Sequence, residues 1–427
     1  MTINNRMNER VSITGVGCSR FGDLLDTPEI AGLSLQELAS VAAREAFEDA
    51  SMSPLDVDAV FIGNVMAQSA HLPATYSHLS KWIGTQFRPG VHIDAACSTT
   101  NVGVTLAAQA IASGTVDTAL VVGVEATRNQ PKGNSPYLRE PIPTDKMWLW
   151  TDMCCNQAYA VPEGYEIFST YNGILGQAYC KKYGISIEDY DRGMFELCRT
   201  RRLHGSMNPK AFLQETLEAE AARHGFPDAL AFWKSRLNPF ISWPARIRSV
   251  VTPADGASAI LLTRSELAKG TKHAPVNLSG FGSAVSDLPW YDEDPTSWKV
   301  DRLAVERAFG MAGITGKDIG YLHTHDCSFI MSLCTAEQTG YLEPGQGLRA
   351  AREGRLRFDG DRPMTTHGGR HALGHAWAAS AGSDTYEAVK QIRGEAGKRQ
   401  IAKRPEIAVV GTQGYAIIST MLVLKGN

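Results

Sequence analysis

Long apolar segments are missing from this 427-residue sequence, and so is a strong excess of charge of either sign. No run approaches the roughly 20 apolar residues that a membrane helix requires, and the N-terminal stretch lacks the apolar core of a signal peptide. The formal net charge of −3 gives no electrostatic reason to expect binding to nucleic acid or to a membrane surface. We therefore expect a cytoplasmic globular protein with a large buried core.

The sequence also lacks the spacings typical of metal and nucleotide sites. None of its eight cysteines forms a CxxC pair, and no glycine-rich nucleotide motif is present. In a long chain without a signal peptide, the cysteines are expected to be reduced and mostly buried as small hydrophobic side chains. We accordingly predict no bound metal and no NAD, flavin or ATP, so the chemistry must come from side chains and substrates.

An internal repeat predicts two α/β halves of similar plan. Each half contains a strand, a helix, a turn and a second strand, in that order. In the first half these elements are at 11–17, 35–50, 53–56 and 59–63. In the second half they are at 275–282, 300–312, 315–318 and 319–322. Five residue pairs share one offset of 262 residues, among them Ala46 with Ala308 and Ser53 with Thr315. A shared offset together with the same element order argues for duplicated halves.

A further helix and strand occur in each half, at 99–113 with 119–123 and at 378–394 with 407–411. Strands that alternate with helices favour mainly parallel sheets covered on both faces. We predict a first half of residues 1–125 and 250–270, an insertion at 126–249, and a second half of residues 271–427. The insertion could cover a substrate. It combines a polar loop at 128–143 with three helices, at 167–182, 187–202 and 212–223.

Cys97 stands where a buried strand is predicted to end and an alanine-rich helix to begin. The first turn of a helix has unpaired N–H groups and partial positive charge, which stabilise a thiolate and lower its pKa. A nucleophilic cysteine is therefore one interpretation. A small core cysteine at a strand–helix junction is the other.

His375 precedes the second-half helix and is, by the repeat, the counterpart of the Cys97 neighbourhood. Two helix N-termini facing each other across the halves would bring a cysteine and a histidine together, as a nucleophile and its base require. His367 and His371 compete for this role. Surface or helix-capping positions are the alternative for those two.

A polar segment, His323–Cys327, also follows a strand of the second half. Such segments often mark a site at the carboxyl edge of a sheet. A histidine and a cysteine two residues apart on an extended segment point to the same side. A metal site is the alternative, but no second pair of ligands supports it.

These motifs together resemble the thiolase superfamily, and specifically the sterol-carrier-protein-2 type of thiolase. The resemblance covers nearly the whole chain and rests on segments in their expected order: 11–17, 95–97, 255–257, 325–327 and 374–375. It implies a thiolase fold of two duplicated α/β halves, with mixed five-stranded sheets in a layered αβαβα arrangement and a helical loop-domain insertion. The implied activity is cleavage of a 3-ketoacyl-CoA with coenzyme A, or the reverse Claisen condensation.

The resemblance also implies roles for individual residues. Cys97 would be the nucleophile that becomes acylated, and His375 would activate it and help bind a thioester oxygen. His325 would hold the water or oxygen of an oxyanion hole. Cys327 would be the acid/base for the α-proton. Coenzyme A would act as a co-substrate, with no cofactor bound.

The sequence departs from the family mainly in loops around the site. Other thiolases carry a second catalytic cysteine near the C-terminus, whereas the matching stretch 407–415 has none, as expected for the sterol-carrier type. Ala376 replaces the family's proline and Ser328 its phenylalanine, which leaves the acyl specificity open. Gly374 and Gly414 are the glycines expected to contact substrate.

Three other functions remain open at this point. A β-ketoacyl synthase could use Cys97, His325 and His375, but Cys327 would then have no role. A thiolase-like retro-aldolase would be expected to lack the nucleophilic cysteine, and a non-enzymatic scaffold would not need a complete set of reacting groups. The resemblance further implies a homodimer or higher oligomer, and bacterial relatives often work with a small zinc-ribbon/OB-fold partner subunit.

Large apolar side chains are concentrated in the insertion at 147–155, and Trp290 and Tyr291 add two aromatic rings. One hypothesis is that Trp148 or Trp150 lines the acyl pocket and favours a bulky or ring-bearing acyl group. The alternative is that these side chains pack the insertion onto the core or close a dimer interface.

Overall fold

The computed structural model describes residues 10–65, 74–127, 130–131, 139–140, 167–268, 271–286, 294–414 and 417–426. Within them the strands are β1 Val11–Cys18, β2 Ala59–Gly63, β3 Gly90–Ile93, β4 Thr118–Glu125, β5 Gln130–Pro131, β6 Arg139–Glu140, β7 Phe240–Ser242, β8 Ala245–Arg246, β9 Gly256–Arg264, β10 Val276–Val285, β11 Tyr321–Thr324, β12 Ile407–Gly414 and β13 Ile418–Gly426. The helices are α1 Leu35–Ala50, α2 Thr75–Ser80, α3 Thr99–Ala112, α4 Ile167–Tyr183, α5 Ile187–Ser206, α6 Leu217–Arg223, α7 Ala229–Trp233, α8 Lys299–Ala312, α9 Phe329–Gln338, α10 Gly347–Arg352, α11 Gly369–Ala372 and α12 Trp377–Arg393.

Nine of the described strands form one continuous sheet in the order β11–β12–β13–β10–β1–β9–β4–β2–β3. The first half contributes the mixed five-stranded part from β1 to the β3 edge, as expected. The described part of the second half contributes four strands. The halves meet where β1 pairs antiparallel with β10, with Ser12 opposite Asn277 and Ile13 opposite Val276.

Helices cover the strands in layers. Helix α1 packs on β1, β9 and β4, and α8 packs on β10 and β13. Helices α3 and α12 pack against each other, and between them they contact strands of both halves. Strands β1 and β4 are buried along their whole length, as strands covered on both faces must be. The layered αβαβα arrangement is therefore confirmed, with the α3–α12 pair in its middle layer.

The duplicated halves repeat one close contact between a strand and its helix. A Cβ atom at Gly15 would lie 2.2 Å from the carbonyl oxygen of Ala46, and one at Gly280 would lie 2.4 Å from that of Ala308. Only glycine permits so close an approach. Ala46 and Ala308, which the repeat pairs in sequence, therefore have the same packing role in their two halves.

One predicted helix, at 212–223, begins later than expected. Helix α6 begins at Leu217, because Thr216 caps it by accepting the Ala219 N–H at 3.2 Å. The preceding residues bind the segment before α12 instead, with the Phe212 N–H donating to the Leu373 carbonyl oxygen at 3.0 Å. The three boundaries of the predicted domain division stay predictions.

Candidate active site

Cys97 lies in a short 3-10 turn that joins β3 to the first turn of α3. Ala96, with a positive φ of 50°, donates its N–H to the Asp94 carboxylate at 3.0 Å and so fixes this turn. The Cys97 side chain is buried, with 4% of its surface exposed. The structure thus places the thiol at the predicted strand–helix junction.

His375 lies two residues before α12, and its Nε2 atom is 3.0 Å from Cys97 Sγ. Its Nδ1 atom lies 2.9 Å from the Ser380 hydroxyl, which accepts the Ala376 N–H at 2.9 Å. These contacts hold the imidazole ring with Nε2 facing the sulfur. The sequence patterns do not single out Ser380, although its place five residues after His375 is a local signal.

His325 and Cys327 follow β11 and complete the site from the second half. The Sγ atoms of Cys97 and Cys327 and a ring nitrogen of His325 all lie within 4.8 Å of one another, and all three side chains are buried. The rings of His325 and His375 meet edge to face, with centroids 5.8 Å apart. The four residues given roles by the resemblance therefore lie together.

The two thiols of the site differ in their tendency to ionise. The hydrogen bond from Cys327 has the largest influence on the pKa of Cys97 and lowers it; the nearby His375 and the Arg370 charge lower it further, against the effect of burial. Burial, followed by the hydrogen bond to Cys97, raises the pKa of Cys327 well above its usual range. Ionisation is therefore favoured at Cys97 and disfavoured at Cys327.

His325 is held in its neutral form. Burial lowers its pKa well below the usual range, and the charges of Arg370 and His375 act in the same direction. Its Nδ1 atom is buried and has no hydrogen-bond partner among the described residues. A neutral imidazole with an unused ring nitrogen can serve a substrate oxygen or a bound water.

Trp377 closes the site on its apolar side. It packs with Cys97 and Cys327 in one small buried cluster, and its ring lies 5.7 Å from that of His375. An apolar wall of this kind keeps water away from the sulfurs and strengthens the electrostatic interactions between them.

A second buried cluster contains His323, His367 and Asp384, whose ligand atoms are close enough together to hold a metal ion. However, His367 Nδ1 accepts the Gly369 N–H at 3.0 Å, which puts the ring proton on Nε2, 3.1 Å from the Asp384 carboxylate. The Arg370 guanidinium binds that same carboxylate. A protonated nitrogen and a neighbouring cation fit a hydrogen-bonded cluster rather than a metal site.

Three other residues considered from the sequence have different outcomes. His371 Nδ1 donates to the Val250 carbonyl oxygen at 3.0 Å, and its Nε2 lies 3.7 Å from Cys198 Sγ, which is a structural role. Trp148 and Trp150 lie outside the described residues, as do most of the polar loop 128–143 and Trp290.

The two glycines expected at the substrate lie beside the segments that carry Cys97 and His375. Gly374, with a φ of +104°, leaves no space for a Cβ atom, which would be 2.7 Å from Ala254 Cβ. At Gly414 a Cβ atom would lie 2.8 Å from the Ala95 carbonyl oxygen. Close packing therefore requires glycine at both positions, and contact with substrate stays a prediction.

Two family models match most of the chain. The model described as "Thiolase, N-terminal domain" matches residues 14–193, and the model described as "Thiolase C-terminal domain-like" matches residues 285–426. Two duplicated α/β halves that join a cysteine and a histidine at their helix N-termini define a thiolase-fold protein. The chain belongs to the thiolase superfamily.

Individual relatives are distant but cover nearly the full chain. An acetyl-CoA acetyltransferase of Methanothermobacter thermautotrophicus is 27% identical, over 96% of this chain and 98% of its own length. Sterol carrier protein 2 of Homo sapiens is 24% identical, over 92% of this chain and 68% of its own. The resemblance to the sterol-carrier type is thus matched by an overall similarity in sequence.

Two solved structures illustrate the likeness of fold. The Ltp2-ChsH2(DUF35) aldolase superposes with a TM-score of 0.75 at 18% identity, covering 98% of both chains. Human mitochondrial 3-ketoacyl-CoA thiolase in complex with CoA superposes with a TM-score of 0.67 at 16% identity, also covering 98% of both. An aldolase and a thiolase therefore share this fold.

Proposed function

We propose that the protein is a thiolase-type acyltransferase that cleaves a 3-ketoacyl-CoA with coenzyme A, or runs the reverse Claisen condensation. The observation that carries this proposal is the 3.0 Å contact between His375 Nε2 and Cys97 Sγ, beside a second buried cysteine, Cys327. A nucleophile and a separate acid/base are the groups that carbon–carbon bond formation between thioesters requires. Similarity to an acetyl-CoA acetyltransferase supports the same function.

In the condensation direction, the Cys97 thiolate attacks the carbonyl carbon of an acyl-CoA. The proton on His375 Nε2 is placed to reach the departing thiolate of coenzyme A, so that acyl-Cys97 and free coenzyme A result. The developing oxyanion needs donors that are already in place. His325 and His375 are the ring donors nearest to the sulfur.

Acylation then changes the ionisation of Cys327. In the resting site, burial and the Cys97 anion keep the proton on Cys327. Once Cys97 carries an acyl group, its negative charge is gone and the pKa of Cys327 falls. Cys327 can then give its proton to the His375 ring, which has lost one to coenzyme A, and the Cys327 thiolate takes the α-proton of a second thioester. The carbanion attacks the acyl carbon, the bond from that carbon to Cys97 Sγ breaks, and Cys97 leaves as a thiolate. The coupling of the two sulfurs imposes the order of the steps.

Retro-aldol cleavage is the second candidate, because the aldolase structure resembles this chain in fold. A thiolate on Cys97 favours acyl transfer, since aldol cleavage needs no acyl-enzyme. A β-ketoacyl synthase is disfavoured because it would leave Cys327 unused, although Cys327 hydrogen-bonds Cys97.

A homodimer through the β3 edge is part of the proposal. Among the described strands β3 is the last of the sheet, and its residues Gly90 to His92 are exposed. Val91 is 49% exposed and the nearby Phe87 is 93% exposed, which makes this edge suitable for pairing with a second copy.

A small zinc-ribbon/OB-fold partner and a cytoplasmic location complete the proposal. The aldolase with a similar fold is named together with a DUF35 protein, which supports a partner subunit. Within the ranges that the structure describes, no helix has the length and apolar character needed to span a membrane.

Mass spectrometry after brief exposure to acyl-CoA and 3-ketoacyl-CoA esters tests the function. We expect an acyl adduct on Cys97 in the wild type and neither adduct nor turnover in Cys97→Ala, with unchanged thermal unfolding. Cys198→Ala is the matched control, because burial raises the pKa of this cysteine to about 12. An adduct on Cys327 would reverse the assignment of nucleophile. Cleavage of a 3-hydroxyacyl-CoA to an aldehyde or ketone and a shorter acyl-CoA, without added coenzyme A and without an adduct, would identify an aldolase.

A further inference from the structure

Asp326 separates His325 from Cys327, and its side chain is fully buried. Its Oδ2 atom accepts a hydrogen bond from Arg201 Nε at 2.8 Å, and its Oδ1 atom accepts the backbone N–H of Arg370 at 2.7 Å. Both oxygens are therefore occupied. Because Asp326 lies between His325 and Cys327 in the chain, a change in its backbone conformation would move both neighbours.

Arg201 belongs to α5, within the predicted insertion, and it is also fully buried. Its Nη1 atom donates to the Met364 carbonyl oxygen at 3.0 Å, and its Nη2 atom to Ser332 Oγ at 3.4 Å. One guanidinium group thus ties the segment after β11 to α9 and to the segment before α11. The planar fork of an arginine suits this multiple attachment.

The turn that carries Arg370 is shaped around the same carboxylate. A Cβ atom at Gly369 would lie 1.9 Å from Asp326 Oδ2, so that only glycine lets the carboxylate lie against α11. Helix α11 leads directly to His375. Asp326 consequently connects the segment of Cys327 with the segment of His375.

Charge explains why Arg201 matters to Asp326. A buried carboxylate is unfavourable unless a cation and hydrogen bonds compensate it. Without Arg201, Asp326 would keep only its backbone hydrogen bond from Arg370. The charge of Asp326 also contributes to raising the pKa of Cys327, so its partner limits that effect.

We propose that Arg201 is a positioning residue of the active site, which holds Asp326 and thereby fixes the Cys327 thiol beside Cys97. The inference rests on the proposed function, because it concerns the step assigned to Cys327. Cys97 and His375 have their own supports in the 3-10 turn and in Ser380. Loss of Arg201 therefore affects carbon–carbon chemistry more than acylation.

Arg201→Gln tests the proposal, with Arg202→Gln as the matched control. Arg202 is the next residue of α5, is also buried, and pairs with Glu220 at 2.7 Å. The rate of Cys97 acylation is compared with the exchange of the α-protons of acetyl-CoA in D2O. We expect Arg201→Gln to slow exchange by roughly 100-fold. Acylation should slow by about 10-fold at most, because displacing Cys327 also weakens the hydrogen bond that lowers the pKa of Cys97. Equal losses in both steps, or the same imbalance in Arg202→Gln, would overturn the proposal.

A second readout does not depend on the thiolase reaction. Alkylation by iodoacetamide is followed separately at Cys327 and Cys97 by peptide mass spectrometry. The Cys327 rate relative to the Cys97 rate should change in Arg201→Gln and stay constant in Arg202→Gln; an unchanged ratio in folded Arg201→Gln overturns the proposal. Arg201→Lys, which keeps the charge without the fork, should give a smaller change and replaces Arg201→Gln if that variant does not fold. Failure of the wild type to acylate or exchange protons would instead reject the proposed function.

Discussion

His375 Nε2 lies 3.0 Å from Cys97 Sγ, although 278 residues separate the two in the chain. The contact exists because Cys97 and His375 each lie at the N-terminal end of a central helix, one in each half. Those helices, α3 and α12, pack against each other. One half of the molecule thus supplies the cysteine of this pair and the other supplies the histidine.

His375→Gln should raise the pKa of Cys97, because it removes the nearby charge and hydrogen bond that lower it. The pH dependence of Cys97 alkylation by iodoacetamide should move to higher pH, and acylation should slow by roughly 10²- to 10⁴-fold. His371→Gln, whose partners are Val250 and Cys198, is the control and should leave the midpoint in place. An unshifted midpoint in His375→Gln would remove His375 as the partner of Cys97.

Cys327→Ala and Cys327→Ser separate the two effects of this residue. The hydrogen bond from Cys327 lowers the pKa of Cys97 most, so the alanine variant should titrate Cys97 at higher pH while the serine variant, with its O–H donor, stays nearer to the wild type. Both should still form the acyl adduct. Both should lose condensation and thiolysis by at least about 100-fold. Full activity in Cys327→Ala would take Cys327 out of the mechanism.

Val91→Lys should separate the proposed dimer into monomers, because a charge on an edge strand blocks pairing. Sedimentation at micromolar concentration should give a dimer for the wild type and for Leu267→Lys, a control at another exposed apolar residue. A monomeric wild type would count against the proposed assembly, and a dimeric Val91→Lys against this edge.

Trp148→Ala and Trp150→Ala test the acyl pocket in the insertion. If either ring lines the pocket, its loss should change the relative kcat/KM of large and small acyl substrates by about 10-fold or more. Kinetics with acetyl and ring-bearing acyl esters measure this ratio. If the variants instead lose stability or dimerisation while the substrate ranking stays unchanged, the rings pack the insertion onto the core or close the dimer interface.

His371 should make folding sensitive to acid. Burial lowers its pKa from 6.5 to about 4 in the folded protein. The unfolded chain therefore binds a proton first, and stability that is complete above pH 6.5 is lost as the pH falls toward 4. The loss from this residue is on the order of 3 kcal/mol. The free energy of unfolding can be measured with urea at pH 7, 6 and 5 and a fixed protein concentration. It should fall less steeply with decreasing pH in His371→Asn than in the wild type. The control His224→Asn, at an exposed histidine, should show the wild-type slope.

Local pattern was sufficient for most elements, because their causes lie a few residues apart. Ser53 and Asp56 form a capping box around their turn, and Thr315 and Asp318 form the same box in the second half. In both turns the backbone N–H of the first residue donates to the aspartate Oδ2 at 2.8 Å. The position of Cys97 at a strand–helix junction left two interpretations open. The resemblance to thiolases implied that it is the nucleophile.

Only the tertiary structure decided how the site residues act on one another. Arg201 reaches Asp326 across 125 residues, and no spacing along the chain indicates that pair. A hydrogen bond between the two thiols lowers the pKa of Cys97, and burial together with that hydrogen bond raises the pKa of Cys327; both causes exist only after the halves are packed. The sequence by itself determined which elements form and which reactive side chains follow them. Packing of α3, α5 and α12 determined which of those side chains meet, because these contacts join segments that are distant in the chain.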